Sequence, residues 1–154
     1  MQDRIVQHFG VNSLVIHNMV GADFFNQKNK FNFEGKIRFV TTGRLVYGKG
    51  FDLLPKAFSK LNLPNEKWEM IIIGGGEEYL NLQKQINEVN LQGNIHLLGQ
   101  KTKTQVVDIL KNSNVFILPS RAENFSVAVL EALACGLPVI SSICGGIREC
   151  IFDF

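Results

Sequence analysis

The sequence predicts an α/β protein: a parallel sheet covered by helices on both faces, in a three-layer α/β/α arrangement. Two observations predict it. Five short apolar runs recur along the chain, at residues 37–41, 70–73, 95–98, 115–118 and 138–141. They are rich in β-branched residues and nearly continuous, whereas a strand with one wet face would alternate. Each gap between them carries a helical pattern. Strand, helix, strand, repeated four times, implies right-handed crossovers and helices on both sides of the sheet.

The elements follow in order. Residues 13–17 read as an opening strand, and residues 26–36, rich in Asn and Lys, as the loop leaving it. The chain therefore divides into 1–36, a linker with an opening strand, and 37–154, the main domain. After the first main strand, Leu54, Ala57, Phe58 and Leu61 fall at i, i+3, i+4 and i+7. Tyr79, Leu82, Ile86 and Val89 make a second stripe. Val106, Ile109 and Leu110 make a third, and Val129, Leu130 and Leu133 part of a fourth. Such stripes are core faces.

Bulk properties exclude several classes. The 154 residues suffice for one domain with a core, and the formal net charge of +2 is too small to argue for nucleic acid or an anionic surface. No apolar run approaches the ~20 residues of a membrane span. The start, Met1-Gln2-Asp3-Arg4, lacks the layout of a signal peptide, which points to the cytoplasm. Cys135, Cys144 and Cys150 are odd in number and form no C-x-x-C pair, so they read as reduced thiols, not metal ligands.

In a parallel sheet of this kind ligands bind beyond the carboxyl ends of the strands. Gly43-Arg44-Leu45-Val46-Tyr47-Gly48-Lys49-Gly50 follows the first main strand. It is one residue short of the P-loop pattern: Gly50 stands where a hydroxyl would hold magnesium. Glycines there let the backbone approach a phosphate, and the next helix would point free amides at it. Arg44 offers a planar fork and Lys49 a mobile charge. An ordinary turn with two solvated cations is the alternative. Gly74-Gly75-Gly76-Glu77-Glu78 follows the second strand and reads as a tight turn, because Tyr79 replaces the third glycine of a dinucleotide fingerprint. Gly99-Gln100-Lys101-Thr102 follows the third, as a short turn into a helix or a wall for a planar base.

Beyond the fourth strand, Ser126 or Asn124 can cap a helix that Gly136 and Pro138 end. Glu131 lies inside that apolar helix and Glu123 in the loop before it, so both border the ligand edge. An acid among apolar neighbours needs a partner or an open cleft. Binding of vicinal sugar hydroxyls, structural pairing, and hydrolysis by a pair of acids are the three readings. Nothing makes the two acids flank a single bond.

Seven residues separate Glu123 from Glu131, which is the E-x7-E signature. The surrounding PSRAENFSVAVLEALACGLPVISS resembles glycosyltransferase family 4, retaining enzymes of the GT-B fold. TTGRLVYGKGFDLLPKAF resembles that family's G-R-L…K-G segment. MIIIGGG, NIHLLGQ and GGIREC fall in the family's order, and VIHNMV resembles the opening of its C-terminal domain. The likeness runs from Val15 to Ile151.

The resemblance implies that residues 37–154 are an incomplete Rossmann-like domain that binds a nucleotide sugar, the C-terminal half of a GT-B fold. It implies transfer of a hexose from a nucleoside-diphosphate sugar to a glycan or lipid-linked acceptor, as in polysaccharide biosynthesis. The acceptor would be held by an N-terminal domain that is absent, and the isolated chain would be inactive. A non-catalytic nucleotide-binding module, or another GT-B enzyme such as a nucleotide-sugar epimerase, remains the alternative. By resemblance Arg44 and Lys49 meet the donor diphosphate, with the amides of Phe125 and Ser126. Glu123, Asn124 and Phe125 face the donor sugar, with Glu123, Arg44 and Lys49 the catalytic set. Glu131 holds the ribose, and Gly99, Gln100 and Lys101 lie near the base. No cofactor and no metal are expected, in keeping with the lack of a D-x-D pair. Peripheral association of the whole protein with the inner face of a membrane fits a lipid-linked acceptor. Asn124-Phe125-Ser126 departs from the family's Gly-Phe-Gly. A chain stopping at Phe154 is expected to leave a sheet edge and apolar surface uncovered, and so to self-associate or be marginally stable.

Overall fold

The computed structural model describes residues 7–11, 18–25 and 35–147. The readings made for 13–17, for most of 26–36 and for 148–154 lie outside the described residues. Five strands form one sheet: β1 (Ile37–Thr42), β2 (Trp68–Ile73), β3 (Ile95–Leu97), β4 (Val115–Leu118) and β5 (Val139–Ser141). Their order is β3-β2-β1-β4-β5, and every neighbouring pair is parallel. The Rossmann-like three-layer α/β/α arrangement expected from the sequence is therefore present. β2 begins earlier than its apolar run, because Trp68 and Glu69 pair with Ile37 and Arg38 of β1.

Four helices fill the crossovers: α1 (Leu53–Phe58), α2 (Tyr79–Glu88), α3 (Lys103–Lys111) and α4 (Val127–Ala134). The pleat of β2 sorts the core into two layers, since successive strand residues face opposite sides. Met70 and Ile72 pack with Leu54 and Phe58 of α1 and Leu82 and Ile86 of α2. Ile71 and Ile73 pack with Val107 and Leu110 of α3 and Val129 and Leu130 of α4. Phe24, in the short 3-10 turn Ala22–Phe24, joins that second layer and is buried.

The helical stripes hold with three corrections. α1 is only six residues long and ends in a tight turn, so Leu61 lies beyond it, 40% exposed, and Ala57 faces water. On α3 the buried residues are Val107 and Leu110, with Val106 and Ile109 half-buried. On α4 the small Ala132 lies against the core, fully buried, and turns Leu133 outward to 40% exposure. Leu133 instead lines a surface groove with Met19, Val20, Phe25 and Leu130.

The helix ends follow local chemistry. Thr102 and Gln105 form a reciprocal capping box on α3. The hydroxyl of Ser126 accepts from the amide of Val129 and caps α4, which Gly136 then ends in the left-handed conformation.

The order in which the strands are laid down reverses between β1 and β4. From β1 the crossovers run outward to β2 and β3 on one face; from β4 they run outward to β5 on the other. That is the switch point where such sheets open a crevice. The loops past the strands are joined there by backbone hydrogen bonds in strand order. The amide of Gly74 donates to Gly99, that of Leu45 to Gly75, that of Arg121 to Gly48 and that of Gly146 to Glu123, at 2.9, 2.9, 2.9 and 3.0 Å.

Candidate functional site

Two clefts of about 400 Å³ each open at this carboxyl edge, and Arg44 lines both. The first has walls from the ends of β1 and β2 (Thr42, Gly43, Gly74, Gly75), from Gln100 and Lys101, and from Lys103 and Glu131 on the helices. The second lies between the loops after β1 and β4, with Gly48 and Lys49 on one side and Glu123, Asn124 and Phe125 on the other.

In the second cleft the Lys49 ammonium spans both carboxylate oxygens of Glu123, at 2.6 and 2.8 Å. The Glu123 side chain is 7% exposed, so this carboxylate has exchanged most of its water for one cation. Structural pairing, one of the three readings for the acids, therefore describes Glu123 in this structure. It does not describe Glu131. Lys103, whose positive charge acts on Glu131, forms its ion pair with Asp23 at 2.7 Å instead. Burial raises the Glu131 carboxyl above the ordinary range, and the Lys103 charge only partly opposes this. A half-buried carboxylate facing a polar cleft suits hydroxyl donors, each of which would help it stay charged.

The glycine loop differs from the sequence expectation in one respect. The helix behind it does not present free amides. The amides of Leu53 and Leu54 donate to Gly50 and Phe51, and those of Lys49 and Gly50 to Val46 and Tyr47. In the 3-10 turn Tyr47–Lys49 the Lys49 amide and the Gly50 amide after it are thus turned back into the loop, and the cationic side chains of Arg44 and Lys49 stand beside the cleft. The same geometry explains Gly50. Its φ is +67°, and a Cβ there would stand 2.0 Å from the Pro119 carbonyl oxygen. Neither serine nor threonine fits the position where a P-loop needs one.

Of the other expected residues, Gln100 and Lys101 reach the first cleft, whereas Gly99 is engaged through its carbonyl by Gly74. Asn124 and Phe125 line the second cleft, and the Ser126 side chain is spent on the helix cap. Sequence reasoning missed Lys103, whose only signal was its place right after the capping Thr102. It also missed the turn after β5. Gly145 has φ +49°, and a Cβ on it would lie 1.7 Å from the Glu123 carbonyl oxygen, so that turn fixes the Glu123 loop from behind. No group of three or more His, Cys, Asp or Glu among the described residues could hold a metal ion. No helix among them is long and apolar enough to cross a membrane.

A family model described as Glycosyl transferases group 1 matches residues 23–154. The chain belongs to this family. The phosphatidylinositol N-acetylglucosaminyltransferase gpi3 subunit of Schizosaccharomyces pombe is 30% identical over 135 residues, which cover 88% of this chain and 30% of that protein. Among solved structures, the apo lipopolysaccharide outer core galactosyltransferase WaaB superposes with a TM-score of 0.68 at 28% identity, covering 75% of this chain and 33% of that one. The pneumococcal O-GlcNAc transferase GtfA, solved with UDP and GlcNAc, superposes with a TM-score of 0.75 at 22% identity, covering 96% of this chain and 29% of that one. The chain thus spans about a third of the length of the relatives that it matches.

Proposed function

We propose that this chain is the nucleotide-sugar-binding half of a retaining glycosyltransferase of the GT-B fold, which passes a hexosyl unit from a nucleoside diphosphate to a glycan or lipid-linked acceptor. The observation that carries the reading is the pair of clefts joined at Arg44. The base and ribose occupy the first, against Gln100 and Lys101 with Glu131 on the ribose hydroxyls. The diphosphate crosses beneath Arg44 to Lys49. The sugar enters the second cleft, before Glu123, Asn124 and Phe125. N-acetylglucosamine is the unit named for the gpi3 relative, and UDP the nucleotide found on GtfA, so UDP-N-acetylglucosamine is the first donor to try. The acceptor, the domain that holds it and any subunit partners belong to the rest of the protein, whose relatives include subunits by name.

The chemistry follows from the leaving group. As the glycosidic bond to the nucleoside diphosphate breaks, negative charge grows on the distal phosphate. Cations already held at that place lower the barrier without having to reorganise. Arg44 and Lys49 supply that charge without a metal. Lys49 must exchange Glu123 for phosphate when the donor enters, and the freed carboxylate then faces the sugar.

Calorimetric titration with UDP, GDP and ADP tests the reading. One nucleotide should bind, and the double variant Arg44→Ala/Lys49→Ala should weaken it about 100-fold, because two charge-assisted contacts are lost. Retained affinity in the variant overturns the assignment of the diphosphate.

A further inference from the structure

Lys49 and Glu123 sit on loops that the sheet itself barely connects. β1 and β4 share only two register pairs, Phe39 with Val115 and Val40 with Phe116. Beyond them the loop after β1 and the loop after β4 run on to the site. Arg121 joins the two. Its amide donates to the Gly48 carbonyl at 2.9 Å, and the next amide, of Ala122, to the same oxygen at 3.2 Å. Its guanidinium grips both carboxylate oxygens of Asp52, at 2.6 and 2.7 Å, and donates to the Tyr47 carbonyl at 2.9 Å. The plane also lies over the Tyr47 ring, 4.1 Å from its centroid. Tyr47 and Gly48 immediately precede Lys49, and Asp52 follows it by three residues. Neither Arg121 nor Asp52 nor Tyr47 lines either cleft.

We infer that Arg121 and Asp52 form a brace that sets where the Lys49 ammonium stands relative to Glu123, and so act as positioning residues for the distal phosphate of the donor. The inference rests on the donor-site reading above. Three features fit a brace better than a general surface ion pair. The pair is partly buried, with side chains 28% and 22% exposed. It is bidentate, a geometry only arginine offers. It also fastens the Lys49 loop from both sides, through Tyr47 before it and Asp52 after it. An ammonium at position 121 would keep the charge but could not hold the carboxylate in two parallel bonds while reaching the Tyr47 carbonyl. Asp52 is accordingly held below the usual carboxylate range by its hydrogen bonds to Arg121.

The test compares UDP with UMP (or GDP with GMP, or ADP with AMP, where the titration above selects that base) by calorimetry on the unmodified chain and on Arg121→Lys, Asp52→Asn and Tyr47→Phe. The two nucleotides share the first cleft and differ by the distal phosphate. Arg121→Lys and Asp52→Asn are expected to lower UDP affinity about tenfold, the scale of a catalytic group shifted by a fraction of an ångström. UMP affinity should stay within about twofold, and it also reports that each variant is folded. Tyr47→Phe keeps both the ring and the carbonyl and should change neither ligand. Equal losses of UDP and UMP mean that the pair is only structural, and unchanged UDP means that it positions nothing; either overturns the inference. An unmodified chain that binds none of the three diphosphates better than its monophosphate overturns the donor-site reading itself, and the brace with it. Should Arg121→Lys fail to fold, Asp52→Asn still decides.

Discussion

At the residue scale the two acids of the E-x7-E pair behave differently, and each difference has a measurable consequence. Glu123 is paired with Lys49 and Glu131 forms no ion pair among the described residues, although both border one edge. Burial raises the Glu131 pKa, so the folded chain keeps this proton to higher pH than the unfolded chain does. Its contribution to stability therefore falls as pH rises from the ordinary carboxylate pKa through the raised folded value, and the cost stays in place at neutral pH. Glu131→Gln should raise the melting temperature at pH 7, with a smaller gain at pH 4, while weakening UDP binding about tenfold through the lost charged hydrogen bonds to ribose. Scanning calorimetry and titration at the two pH values check both halves. Glu123→Gln should act in the opposite sense on the nucleotide alone. Releasing Lys49 from its carboxylate should tighten UDP about threefold, the order of a partly exposed ion pair. The same variant should lose activity when the intact protein is assayed with a nucleotide sugar.

At the element scale, the strands were legible because buried parallel strands are continuous apolar runs, and the helices because their stripes recur at the helical period. The limits of the stripes were not. Nothing local says that Ala132, not Leu133, packs inward on α4; the neighbouring turn at Ala22–Phe24 and the close approach of the sheet decide it. The helix amides expected to be free behind the glycine loop, those of Leu53 and Leu54, donate to the carbonyls of Gly50 and Phe51, and such i to i+3 bonds leave no composition signature. Lys49 and Glu123 lie 74 positions apart, so their pairing could be read only from the fold. The caps, by contrast, were legible from residue type. Ser126→Ala should cost about 1 kcal/mol in a urea melt through loss of the α4 cap. Gly145→Ala should cost about 2 kcal/mol or more, since an added methyl would need the space of the Glu123 carbonyl and a strained φ.

At the scale of the whole molecule, the sheet gathers its ligand-facing chemistry onto one edge and fixes it with backbone bonds between successive loops. Other parts of the surface are apolar. Met19 is 89% exposed, Phe25 65%, Ile140 57% and Ile143 69%, the last two on or just past the outer strand β5. Surfaces of this kind associate. Light scattering after size exclusion should show a mass that rises with loading concentration, and a single monomeric mass across a hundredfold dilution series would contradict this.

In the proposed mode of binding one nucleotide spans both clefts across Arg44. Amide chemical-shift mapping of the labelled chain during a UDP titration reads this out residue by residue. Shifts are expected together at Gly43, Gly74, Gly75 and Gln100 around the first cleft and at Gly48, Lys49, Glu123 and Asn124 around the second, saturating at one common midpoint. Shifts confined to one cleft, or centred instead on the groove of Tyr79, Gln83 and His96 beside β3, would contradict it.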